Sequence, residues 1–154
     1  MTKVFRYQTT VRPEWIDYNG HMQDAYYGLI FSYAVDGFQD AVGFDRAYRE
    51  RTGCTIYLLE DHKRFLREVK EGVVVEVETR LLDFNDKCFH LWSEMKEGTT
   101  TVAVSEMIEL HVNQRPKPHG TAFPPDLRLR LSQAVADGEG ASQLPYRARR
   151  LQLS

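Results

Sequence analysis

Between positions 26 and 41 the apolar residues recur at the spacing of a helix. Tyr26, Ile30, Tyr33, Ala34, Gly37, Phe38 and Ala41 fall at i, i+4, i+7, i+8, i+11, i+12 and i+15, one continuous stripe. Tyr27, Leu29, Phe31, Val35 and Val42 fill much of the remaining circumference. A helix apolar nearly all round is expected to be buried. Gly43 is its expected C-cap.

Most of the rest of the chain alternates with period two. Residues 5–11 read as a first strand, ended by Pro13. Residues 44–53 are polar and short, with room for one irregular helical turn. Residues 55–66 alternate, with Ile56, Leu58, Glu60, His62 and Arg64 on one face. That strand starts apolar on both faces and turns polar on both, as expected where it leaves a core for a site or an edge. Strands follow at 73–84, 88–97 and 99–113, separated by turn signals at Gly72, Asn85-Asp86 and Gly98. In the last of these, Val102, Val104, Ile108, Leu110 and Val112 share a face. Pro116, Pro118, Gly120 and Pro124-Pro125 interrupt regular structure, and a short amphipathic helix is expected over 126–136.

The order strand, buried helix, then about four antiparallel strands implies an α+β fold with one sheet wrapped around a long central helix. Residues 1–137 are expected to form that single domain, and 138–154 a flexible tail or an arm over a neighbouring subunit. Such a sheet leaves an edge uncovered, so a homo-oligomer, dimer or tetramer, is its natural completion.

Composition narrows the function. A formal charge of -2 lacks the cationic footprint of a nucleic-acid surface. The basic cluster Arg147, Arg149 and Arg150 reads as a solvated tail. No apolar run is long enough to cross a membrane and no signal segment is evident, so a cytoplasmic protein is expected. Cys54 and Cys88 lack metal-ligand spacing and read as free thiols. The five histidines, 21, 62, 90, 111 and 119, form no metal cluster, and no nucleotide loop or serine or cysteine nucleophile motif is present.

The chemistry gathers just before the helix. Asp17, Asn19, Gly20 and His21 lie within five positions, where the orphan N–H groups and the positive end of the helix dipole await. A carboxylate there serves as a general base for water or as a nucleophile, or simply as a turn residue. Backbone N–H groups of Gly20, His21 and Met22 are candidate oxyanion donors. The His21 side chain fits either of two roles, polarising a carbonyl or holding the loop.

Asp17-x-x-Gly20-His21 opening a buried helix resembles the hotdog-fold acyl-CoA thioesterases of the 4-hydroxybenzoyl-CoA type. The family segment Gly-His-x-Asn-Asn corresponds to Gly20, His21, Gln23 and Asp24, with Tyr26-Tyr27 following. The resemblance covers about the first four-fifths of the chain. Residues 12–22 (RPEWIDYNGHM), Glu60-x-His62 and residues 81–91 (LLDFNDKCFHL) are further similar to thioesterase domains associated with carnitine breakdown. Members of that group are implicated in hydrolysing betainyl-CoA, the thioester of glycine betaine.

The resemblance implies hydrolysis of a small acyl-CoA with Asp17 as base or nucleophile, at a site where two subunits meet, with no metal or cofactor beyond the CoA of the substrate. If the acyl group is betaine, Trp15, Tyr18, Tyr26 and Tyr57 are the rings and Glu60 the anion available to cage a quaternary ammonium, with His62 beside it. Arg64, Arg67, Arg115 and Lys117 are candidates for the CoA phosphates. Two other functions fit the same pattern, a non-catalytic acyl-CoA-binding protein and a hotdog dehydratase acting on a 3-hydroxyacyl thioester.

Overall fold

The computed structural model describes residues 3–135 and 143–154 of the chain. Six strands and three α-helices follow in order: β1 (Phe5–Thr10), α1 (Asp24–Val42), α2 (Arg46–Thr52), β2 (Cys54–Phe65), β3 (Val74–Phe84), β4 (Cys88–Glu97), β5 (Thr100–Asn113), β6 (His119–Gly120) and α3 (Pro125–Ala134). The main strands pair antiparallel in the order β1-β3-β4-β5-β2, and β6 adds to the end of β5. The sheet curls around α1, the expected hotdog arrangement.

The helix bounds agree with the sequence pattern, and Gly43 closes α1 in the left-handed region at φ 105°. Its buried face is turned about one position from the expected stripe. Tyr27, Ile30, Phe31, Ala34, Val35, Phe38 and Val42 are buried, whereas Tyr33, Gly37 and Ala41 are exposed. The bulkier residues took the core, and α1 keeps one open side in the single chain. Its two ends serve two core clusters: Ile30, Phe31 and Ala34 pack with Val75, Val77, Met95 and Ala103, while Val35, Phe38 and Val42 pack with Leu81, Phe89, Leu91 and Met107.

Residues 46–52 form a complete short helix, where one irregular turn was expected. The Asp45 carboxylate accepts the Tyr48 N–H (2.9 Å) and Gly53 ends it at φ 73°.

A β-bulge between Leu58 and Glu60 corrects the expected faces of β2. One extra residue reverses the in–out parity beyond it. Ile56 and Leu58 therefore share the helix-facing side with Asp61 and Lys63, while Glu60, His62 and Arg64 turn to the opposite face. On β5 the residues lining the space beside α1 are Ser105, Met107 and Glu109. Both faces of β5 are buried, so apolarity alone does not distinguish them. The C-terminal stretch lies against its own sheet: Arg147 donates to Glu106 from Nε (2.7 Å) and from Nη2 (3.3 Å), and the Ala148 N–H adds a third bond (3.0 Å).

Candidate active site

The Asp17 loop is a small hairpin. The Asp17 N–H donates to His21 O (2.9 Å), Gly20 closes the turn by donating to Asp17 O (3.0 Å), and its φ of 81° is one that a side chain would resist. The Asn19 N–H donates to Asp17 Oδ1 (2.9 Å), which fixes one oxygen of the carboxylate. The loop is tethered from both sides, by Gln23 N–H to Trp15 O (2.9 Å) and Met22 N–H to Val69 O (2.8 Å).

Beside Asp17 opens a cavity of about 380 Å³ lined by Asp17, His21, Met22, Asp24, Tyr27, Phe65, Leu66, Arg67 and Glu68. Its floor is built by Tyr27, whose hydroxyl donates to Arg67 O (3.0 Å) and whose ring meets Phe65 edge-on at 5.3 Å. Burial and the nearby Glu68 push the Tyr27 phenol above its ordinary value. His21 Nε2 contacts the Glu68 carboxylate at the edge of the cavity.

At the mouth of this cavity α1 begins without a side-chain cap on its first turn. The Tyr26 N–H is taken by Gln23 O. The N–H groups of Asp24 and Ala25 have no acceptor among the described residues, nor does that of His21. The Gly20 N–H is spent inside the loop and the Met22 N–H on Val69 O, which removes two of the three donors suggested by sequence. A carboxylate with a free oxygen, an open cleft and unpaired N–H groups at a helix start suit attack on a carbonyl.

Asp17, His21, Met22 and Arg67 thus come together, with Gly20 as the turn that presents them. Trp15 is buried and stacks on Tyr26 at 5.7 Å beside the loop, with the Arg12 guanidinium 5.3 Å from its ring. Tyr18 is 98% exposed and Tyr57 lies out on β2, so within one chain the four rings and Glu60 do not converge on a cage. Glu60, His62 and Arg64 instead line a different cavity, of about 580 Å³, with residues 147–151. Arg115 stands against Gly53 and Lys117 is exposed in the loop after β5, both outside the Asp17 cleft. Tyr27 follows the loop on α1 and was read from sequence only as part of the helix, whereas Phe65 and Glu68 were not singled out, because only the chain's return at the end of β2 carries them to the loop. Among the described residues no group of three or more His, Cys, Asp or Glu is placed to hold a metal ion.

A family model described as the thioesterase-like superfamily matches residues 11–131. The chain belongs to the thioesterase-like superfamily. It is a thioester hydrolase by that membership and by its relatives. It is 39% identical over 141 residues, 90% of this chain and 87% of the other, to the betainyl-CoA thioesterase of Pseudomonas aeruginosa. It is 37% identical over 135 residues to an L-carnitine dehydrogenase/betainyl-CoA thioesterase of Agrobacterium fabrum, where it spans 87% of this chain and 28% of that longer protein. A Staphylococcus aureus protein solved in complex with CoA superposes with a TM-score of 0.80 at 31% identity, covering 87% of this chain and 85% of the other.

Proposed function

We propose that this thioester hydrolase acts on a small acyl-CoA with a cationic acyl group, betainyl-CoA or a near analogue, and that Asp17 carries the reaction. The observation that carries the reading is the Asp17 carboxylate, half-exposed at an open cleft beside the uncapped start of α1. The names of the two similar thioesterases support the acyl group, and the CoA held by the similar staphylococcal protein supports the leaving group.

In one route Asp17 takes a proton from water, the hydroxyl adds to the carbonyl carbon, and the C–S bond breaks. The proton passes to the departing sulfur, which leaves as the CoA thiol, and the acyl group leaves as its acid. In the other, Asp17 itself adds to the carbonyl, the C–S bond breaks so that CoA leaves as a thiolate protonated from solvent, and water then hydrolyses the mixed anhydride left on Asp17 to the acid and the free carboxylate. Either way the oxygen charge develops where the N–H groups of His21, Asp24 and Ala25 meet the positive end of α1. A single turnover in ¹⁸O-water separates the routes, since label enters Asp17 only if the anhydride forms.

Thiol release from a panel of acyl-CoAs, with betainyl-CoA turned over best, is the direct test. Asp17→Asn is expected to fold normally and lose about 10²- to 10⁴-fold in kcat. A variant with unchanged kcat/KM removes Asp17 from the mechanism.

A second copy completes the site in this reading. The edge strand β2 leaves Tyr57, Leu58, Leu59 and Phe65 39–56% exposed, and a long unpaired apolar edge is a template for pairing. Pairing there brings Tyr57 and Glu60 of one protomer toward its partner. Sedimentation is expected to give a dimer or tetramer, and Leu59→Lys to shift it toward monomer; a monomeric active wild type would refute the shared site. The cytoplasm, where Cys54 and Cys88 stay reduced, is the proposed location.

A further inference from the structure

The cavity of about 580 Å³ on the outer face of β2 is larger than the Asp17 cleft and has no part in the chemistry assigned there. Its size lies within the range of small-molecule sites, about 300–1,000 Å³. One wall is β2, with Glu60, His62 and Arg64, and the other is the C-terminal stretch at residues 147–151. That second wall is fixed in place. Arg147 Nε and the Ala148 N–H both bind the buried Glu106 carboxylate (2.7 and 3.0 Å), and Leu151 is buried just beyond them. Arg149 and Arg150 stand between these two anchors with exposed side chains, so the backbone that presents them is held on both sides.

The lining carries more positive charge than its own carboxylates answer. Arg147 is committed to Glu106, and Asp61 to Lys63. Arg64, Arg149 and Arg150 form no ion pair among the described residues. Arg64 lies over the Tyr146 ring at 5.3 Å, a contact that positions its guanidinium without neutralising it. Glu60 is the one lining carboxylate left without a cation among the described residues. Three guanidiniums thus gather around one unpaired acid, in a chain whose formal charge is -2. Like charges brought together repel one another, and an anion between them reverses the sign of that interaction.

The chemistry of the lining narrows the anion. Guanidinium matches phosphate through paired N–H donors in a rigid fork. A single carboxylate would leave two of the arginines unanswered, whereas a ligand with two phosphates engages all three. A nucleic-acid polymer does not fit, because the arginines close one bounded cavity instead of forming a stripe and the chain is net acidic. On the β2 wall Glu60 accepts and the His62 ring both donates and accepts, which suits the hydroxyl and amine groups of a nucleoside. Leu151 adds an apolar surface beside them.

We propose that this cavity binds the phosphate groups of a nucleotide, gripped by Arg64 from β2 and by Arg149 and Arg150 from the C-terminal stretch. Two sources share that chemistry, the nucleotide end of a CoA thioester and a free nucleotide. The first rests on the reading of the substrate as an acyl-CoA, and the fold gives it a route. Arg64 lines this cavity and Phe65, the next residue and the last of β2, lines the Asp17 cleft, so the two spaces meet at the end of one strand. The run from Phe65 back to Glu60 spans about 17 Å at roughly 3.3 Å per residue. An extended pantetheine arm, which separates the thioester from the first phosphate, covers a comparable length.

The test titrates the full chain with adenosine 3′,5′-bisphosphate, ADP and unphosphorylated adenosine by calorimetry. Wild type is expected to bind at least one of the two nucleotides, more weakly as salt is raised, and adenosine far less. The double variant Arg149→Ala/Arg150→Ala should lose about ten- to a hundredfold in that affinity, and Arg64→Met about tenfold. All three side chains are exposed, so both variants are expected to fold, which thermal melting checks. Kinetics separate the sources, using any thioester that wild type turns over and the same acyl group on pantetheine. If the site holds the substrate's own nucleotide, the double variant raises KM for the CoA thioester alone, and adenosine 3′,5′-bisphosphate competes with it. If a free nucleotide is the ligand, it binds without competing and the KM of the double variant stays at the wild-type value. Wild type that binds neither nucleotide, or a folded double variant that binds them as tightly as wild type, overturns the site. Failure of wild type to hydrolyse any CoA thioester overturns the acyl-CoA reading instead, and leaves the binding result standing.

Discussion

Glu106 and Glu109 stand three residues apart on β5, both buried, and their surroundings are opposite in every respect. Glu106 is fully covered on the outer face. It accepts from the Arg147 guanidinium and the Ala148 N–H, and lies 2.7 Å from His90 Nε2. These partners outweigh its burial and hold its carboxyl at about 2. Glu109 faces α1 with no hydrogen-bond partner among the described residues, and burial, with Asp36 and Asp61 nearby, pushes it up to about 8. One residue type in one strand thus ends as a permanent anion in one place and a stored proton in the other. Partners, more than burial, decide which. The satisfied glutamate is a clamp for the C-terminal stretch, and the unsatisfied one keeps its proton at neutral pH.

The largest way to break this comparison is to remove the clamp. Glu106→Gln leaves Arg147 and His90 facing a neutral amide, and losing one partner of a buried ionic cluster costs about 3–5 kcal/mol. For a chain of this size that is a fall in Tm of roughly 10 °C. Because the folded carboxyl lies below its unfolded value near 4.5, its stabilisation is complete above that value and lost as pH falls toward about 2. Acid unfolding of wild type should show that loss and the variant should not. Identical acid curves would mean Glu106 holds nothing.

Much of the fold was readable from periodicity, because α1 and the strands follow 3.6- and two-residue repeats set by local geometry. The Asp17 loop was readable too, since its acid, turn glycine and helix start are close in sequence. What depended on register was not. The bulge in β2 moved Asp61 and Lys63 to the helix side and sent Glu60, His62 and Arg64 away from it. Alternation without that bulge therefore assigned the wrong side chains to the same face. Glu109 was legible only as an acid within an apolar strand, and nothing local tells it from Glu106. The difference comes from the C-terminal stretch, which returns over one face of β5 and leaves the other to α1.

The smaller test adds no partner and removes only the proton. In the folded chain Glu109 titrates near 8, and in the unfolded chain near 4.5. Between those values the native state holds a proton that the unfolded state has lost, so stability falls as pH rises through the window and levels off above about 8. This is the reverse of the Glu106 contribution. Glu109→Gln removes the slope, so by chemical denaturation it should match wild type near pH 5 and be more stable at pH 9, by an amount on the order of a few kcal/mol. If the variant is no more stable than wild type at pH 9, Glu109 already has a partner in solution, and the contrast with Glu106 disappears.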